Sequence, residues 1–266
     1  MRATTRAYLS DVAARVATSR VTRVTRTDAR TIAIELELTI AHPAGGGQPS
    51  DRGVIRALDG SWCVAFDRAT FDRVSGVVTH EGEVTGGGAE AVRAGDEAEL
   101  AIDGEARTLH SRIHSAGHAL DAAMVRLGIP TTVLEPTKGQ HFVSEAYVEY
   151  GGKLEASHEY ADGERLARAL EVEMAKIIAE NQRSATAEMS YEEAREACGG
   201  ALPSFITPEM RPRVVTIVPD TPGCPCGGTH VASMAEIGAF KCTGIRVKKG
   251  VTRVSYSIPG MDSWSE

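Results

Sequence analysis

The chain has 266 residues, 42% hydrophobic and 24% charged, a composition for a soluble globular protein of one large or two ordinary domains. A net charge of −7 argues against a surface coated for non-specific nucleic-acid binding. No apolar run approaches the roughly 20 residues that span a bilayer.

The start, Met1-Arg2-Ala3-Thr4-Thr5-Arg6, has charge but no apolar stretch behind it, so no signal peptide is expected. Five cysteines, an odd number, fit a reducing, cytoplasmic compartment with thiols free or on metal. Residues 1–30 hold Arg2, Arg6, Arg15, Arg20, Arg23, Arg26 and Arg30 against Asp11 and Asp28. Residues 5–20 fit a short strand or a helix. From Val21 to Ile40 the pattern is strand-like: Ile32, Ile34, Leu36, Leu38 and Ile40 alternate with more polar residues. Gly45-Gly46-Gly47-Gln48-Pro49-Ser50-Asp51 then opens a loop. Further short strands are expected at 53–58, 61–66, 74–79 and 97–102, separated by glycine-rich turns. That pattern predicts a small β-barrel or sandwich ending near Asp103-Gly104.

The period then changes. Ile113, Ala116, Leu120, Ala123, Met124 and Leu127 recur at three and four, which predicts an amphipathic helix over 111–127. A strand is expected at 141–149, a helix over 163–181, and a third helix from Ser190, with Glu193 at the capping-box position. Val214–Val218 reads as a buried strand feeding a cysteine loop. A hairpin over 236–258 turns near Lys249-Gly250. The fold class is α+β, with an N-terminal small β-barrel over 1–104 and a second α+β domain over 105–266.

Two short pieces carry the chemistry. His114-Ser115-Ala116-Gly117-His118 puts two imidazoles on one face of a helix. Cys226-Gly227-Gly228-Thr229-His230 puts a thiol and an imidazole in a loop at the same spacing. Three nitrogens and one sulfur suit zinc, one ion per chain. Ser115 stands where a His-Glu-x-x-His peptidase has its glutamate, so a built-in general base is lacking. A closed structural zinc and ligation by Cys224 both stay open. His110 fits a loop residue near the site, and His42, His80, His141 and His158 have no partner at ligand spacing.

Gly45-Gly46-Gly47-Gln48-Pro49-Ser50-Asp51-Arg52-Gly53, Ile113-His114-Ser115-Ala116-Gly117-His118 and Cys226-Gly227-Gly228-Thr229-His230-Val231 together resemble the editing domain of alanyl-tRNA synthetase. In its free-standing form this is the AlaX-type trans-editing protein, here of the medium-length class that keeps the barrel. The Lys-Lys-Gly turn with Arg253 resembles the family's closing hairpin. The resemblance implies a two-layer α+β domain of the threonyl/alanyl-tRNA synthetase editing type. It also implies hydrolysis of serine or glycine from wrongly charged alanine tRNA, and it carries the zinc ligands onto His114, His118, Cys226 and His230.

Gln48 and Ser115 would then act in catalysis beside the zinc ligands. Gly45, Gly46, Gly47, Gln48, Asp51, Ser115 and Thr229 would bind substrate. The family usually has threonine at the position of Ser115, whose hydroxyl would help tell serine from alanine. Lys241, Arg246, Lys248, Lys249 and Arg253 would clamp tRNA phosphates, or else form a charged edge hairpin. The glycine-rich loop lacks Gly-Lys-Ser or Gly-Lys-Thr, so no nucleotide cofactor is expected. The rival readings are a zinc hydrolase of another small ester and an RNA-binding module with a structural zinc.

Overall fold

The computed structural model describes residues 2–264. The chain divides into two compact units, Met1–Thr108 and Leu109–Glu266. The first holds β1 (Thr5–Arg6), β2 (Val16–Arg26), β3 (Thr31–Leu36), β4 (Leu38–Thr39), β5 (Gly53–Ala57), β6 (Cys63–Asp72), β7 (Val77–Gly86) and β8 (Glu97–Ile102). Six of these close a barrel in the order β2-β3-β7-β6-β5-β8, while β1 pairs with β4 in parallel.

Alternation builds the barrel core. Along β3, Ile32, Ile34 and Leu36 are buried, and the residues between them are half-buried. Each such aliphatic contributes roughly 1.5–3 kcal/mol by leaving water. The stretch 21–40 is not one strand. The chain reverses at residues 27–30, where Asp28 Oδ1 accepts the backbone N–H groups of Arg30 and Thr31, both at 2.8 Å. This is an aspartate turn with no glycine or proline to announce it. The N-terminal arginines are engaged within the barrel unit: Arg20 pairs with Glu97, Arg23 with Glu35 and Arg26 with Glu90.

The helix α1 (Gly104–Arg126) starts two turns before the expected 111. Asp103 Oδ1 accepts the N–H groups of Glu105 and Ala106 at 3.1 and 3.0 Å, a side-chain cap. The polar Arg107 and His110 hide the early turns from an apolar-periodicity reading, yet both are buried. His110 is thus a helix residue.

After α1 come β9 (Glu135–His141), β10 (Ala146–Gly151), α2 (Gly163–Glu180), β11 (Ala185–Glu188), α3 (Tyr191–Ala197), β12 (Arg213–Thr216), β13 (Cys224–Pro225), β14 (Lys241–Lys248) and β15 (Val251–Ser257). The strand expected at 141–149 is instead the hairpin β9-β10. An antiparallel sheet runs β14-β15-β10-β9, and a smaller one runs β11-β12-β13. Ile113, Leu120 and Met124 of α1 share one core with Leu166, Leu170, Met174 and Ile177 of α2 and with Val148, Val254 and Tyr256 of the sheet. That is the helix layer over a sheet layer of an α+β domain. Ser190 and Glu193 form the expected capping box at α3. No helix among the described residues is long and apolar enough to cross a membrane.

Candidate metal centre

His114 and His118 lie on α1 with ring centroids 5.1 Å apart. The loop bearing Cys226 and His230 is held by Arg213 of β12, whose Nη1 donates to the carbonyls of Cys226 at 2.7 Å and Gly228 at 3.1 Å. The Cys226 amide donates to the Arg213 carbonyl at 3.0 Å. The loop is also tied to α1. Ser115 Oγ accepts the Val231 N–H at 3.0 Å and lies 3.2 Å from His230 Nδ1. Ser111 and Thr229 share a hydroxyl hydrogen bond of 2.7 Å.

These ties bring one ligand atom from each of His114, His118, Cys226 and His230 within 4.8 Å of one another. Cys226 Sγ is 3.4 Å from both His114 Nε2 and His230 Nε2. Bond lengths of about 2.3 Å to sulfur and 2.0–2.1 Å to nitrogen at a tetrahedral zinc put S···N edges at roughly 3.5 Å. The donor set and its spacing therefore fit a zinc ion. The group of four does not include Cys224.

The protonation states agree with ligation. Burial, with a small push from Arg213, lowers the His118 imidazole to about 4, so it is neutral. Burial raises the Cys226 thiol, opposed by the Gly228 N–H and by Arg213. A bound cation would take the thiol to the thiolate that ligates it.

Several site expectations meet different surroundings. Ser115 is fully buried with its hydroxyl committed to Val231 and His230. Thr229 is fully buried against Ser111. Both hydroxyls bond to or within the loop that carries Cys226 and His230. Gly45 and Gln48 exchange backbone hydrogen bonds at 3.1 and 3.0 Å across Gly46 and Gly47, whose φ values of 59° and 79° make a tight turn only glycine adopts readily. Gln48 is buried. Asp51 is also buried, with its carboxylate held by Arg107 and by the His42 N–H at 2.6 Å. A carboxylate so engaged braces the barrel.

Lys241, Arg246, Lys248 and Lys249 are exposed on the β14-β15 hairpin, which turns through Lys249 and Gly250 at φ 52° and 76°. Arg253 differs: it pairs with Glu149 at 2.7 Å and Glu145 at 3.4 Å and lies over the Tyr147 ring at 3.8 Å.

One neighbour escaped sequence reasoning. The His141 ring stacks on His114 at 4.5 Å between centroids, and its Nδ1 is 2.7 Å from the Tyr256 hydroxyl. A methyl on Gly117 would lie 2.4 Å from His141 Cε1, and one on Gly139 would lie 2.4 Å from its Nε2. The available signal was Gly117, a glycine in mid-helix, which costs about 1 kcal/mol against alanine unless something must pack there.

The barrel and the helix-on-sheet unit with its His/Cys cluster define a protein of the synthetase editing class. Residues 213–255 match the family described as the threonyl and alanyl tRNA synthetase second additional domain. The chain is 28% identical to the alanyl-tRNA editing protein AlaX-L of Pyrococcus horikoshii over 229 residues, covering 85% of this chain and 51% of that protein. It is 29% identical to an alanine–tRNA ligase of Methanothrix thermoacetophila over 84% of its length, and 33% identical to that of an Anaeromyxobacter species over 80%. The chain spans about half the length of AlaX-L and 23% and 22% of the two ligases. Its similarity to the alanyl-tRNA editing protein extends over most of this chain, as the resemblance of its three motifs implies.

Proposed function

We propose that the chain is a zinc-dependent aminoacyl-tRNA deacylase that removes serine, and glycine, from wrongly charged alanine tRNA in the cytoplasm. The observation that carries this reading is the convergence of His114, His118, Cys226 and His230 in a chain whose relatives are alanyl-tRNA editing proteins and alanine–tRNA ligases. Residues 105–266 would form the hydrolytic domain, and 1–104 the accessory barrel.

Zinc held by these four residues supplies a Lewis acid able to polarise an ester carbonyl or to lower the pKa of water. The reaction adds a water oxygen to the acyl carbon and breaks the bond from that carbon to the ribose oxygen. The ribose oxygen leaves with a proton, giving free amino acid and uncharged tRNA. An aminoacyl ester is already activated, so a strong protein base is not required. Arg213 and Ser115 hold the ligand side chains in place. The exposed Lys241, Arg246, Lys248 and Lys249 are suited to acceptor-stem phosphates.

The test is hydrolysis of seryl-tRNA(Ala) by wild type and by Cys226→Ala, with zinc content measured on both. Fast release of serine that is lost with the metal in the variant supports the reading. Activity on simple esters but not on the charged tRNA favours another zinc esterase. Binding of tRNA with no hydrolysis favours an RNA-binding module whose zinc is structural.

A further inference from the structure

We propose that His141 reads the side-chain hydroxyl of a seryl substrate, an inference that rests on the deacylase reading above. Rejecting alanine requires a buried polar group that serine satisfies and alanine leaves unpaired. The hydroxyls of Ser115 and Thr229 are spoken for inside the ligand loop. His141 is placed differently.

Its tautomer follows from a short chain of hydrogen bonds. Tyr256 has one hydroxyl proton, which it donates to the Ile113 carbonyl at 2.9 Å. The 2.7 Å contact between Tyr256 and His141 Nδ1 is therefore Nδ1–H donating to the phenol oxygen. The neutral ring then carries its lone pair on Nε2, at the edge away from Tyr256. His141 is 4% exposed, and among the described residues Nε2 has no hydrogen-bond partner. The ring lies against His114, with its centroid 6.5 Å from that of His118, but it is not one of the four clustered ligands. The ring is 4% exposed, yet Nε2 is not sealed from solvent, so this open acceptor beside a ligand cluster can take a donor from outside. Gly117 and Gly139 are the two positions whose missing side chains leave room for this ring. The ligand class is a small aminoacyl ester with a hydroxyl donor on its side chain; alanyl and glycyl esters have none.

The experiment compares wild type, His141→Phe and Tyr256→Phe, zinc-loaded, on one tRNA charged with serine, glycine or alanine. His141→Phe keeps a ring but has no acceptor, and Tyr256→Phe releases the tautomer while leaving the imidazole in place. The expected result is a seryl-over-alanyl kcat/KM ratio lowered about tenfold or more by His141→Phe. A smaller fall in the same direction is expected for Tyr256→Phe, with zinc content retained in both. Equal losses on all three esters, an unchanged ratio, or loss of zinc overturns the assignment. Calorimetry with the non-hydrolysable 3′-serylamino-3′-deoxyadenosine and its alanyl counterpart gives an independent readout. If wild type cleaves none of the esters, the deacylase reading fails. The His141 assignment is then decided by whether His141→Phe erases a preference for the seryl analogue or no such preference exists.

Discussion

Replacing Ser115 by alanine separates two roles for one hydroxyl. The oxygen accepts the Val231 N–H at 3.0 Å and stands 3.2 Å from His230 Nδ1 in a fully buried position. With a metal on Nε2, the neutral His230 ring carries its proton on Nδ1, and Ser115 is the acceptor for it. Alanine leaves that donor unpaired in the metal-bound state, at about 1–3 kcal/mol. The metal-free ring can shift its proton and escape this cost. Zinc affinity should therefore fall roughly 5- to 150-fold, which brackets the roughly 10- to 100-fold expected when a ligand loses its outer hydrogen bond. The loss of the Val231 contact adds about 1 kcal/mol of destabilisation shared by both states. The assay is competition for zinc with a chromophoric chelator, alongside the seryl-to-alanyl hydrolysis ratio. Unchanged zinc affinity with a collapsed ratio would refute this account and return Ser115 to the substrate.

Other expectations are simpler to state. His80 is fully buried between the Ile34 carbonyl at 3.1 Å and Thr39 Oγ1 at 2.9 Å, and burial lowers it from the ordinary 6.5 to about 4. The unfolded chain then binds the extra proton, so this stability is full above pH 6.5 and is lost as pH falls toward 4. The span corresponds to about 3 kcal/mol, and His80→Gln should flatten the slope in urea titrations across that window. Asp51→Asn strands the buried Arg107 charge and should cost about 3–5 kcal/mol; unfolding followed through the fluorescence of the buried Trp62 would report it. Lys248→Glu with Lys249→Glu should weaken tRNA binding and shrink the salt slope by roughly 0.7–0.9 per lost phosphate contact. A salt response identical to wild type would remove these lysines from the tRNA surface.

The His/Cys cluster was legible because chemistry fixed its spacing: an i, i+4 pair on a helix and a Cys-x-x-x-His loop need no tertiary knowledge. The barrel was legible from alternation in residues such as Ile32, Ile34 and Leu36. Boundaries were lost where polar side chains do structural work. Asp28 turns the chain without glycine, and Asp103 caps a helix whose first turns bury Arg107 and His110. Strand β11 (Ala185–Glu188) is exposed throughout and had no periodicity to read. The commitments of Asp51, Ser115 and Thr229 depend on partners distant in sequence, from 56 residues for Asp51–Arg107 to 118 for Ser111–Thr229. Motif spacing carries no information about such partners. His141 was invisible for the same reason, since its significance lies in what Gly117 and Gly139 leave empty.

Arg213 has an implication for how the centre is filled. Its guanidinium fixes two carbonyls of the cysteine loop through protein bonds alone. The thiol and imidazole are thus held in register whether or not an ion sits between them. Stripping the cation should leave a folded apoprotein that reloads at the speed of ion encounter, in contrast to a zinc finger, which must refold around its metal.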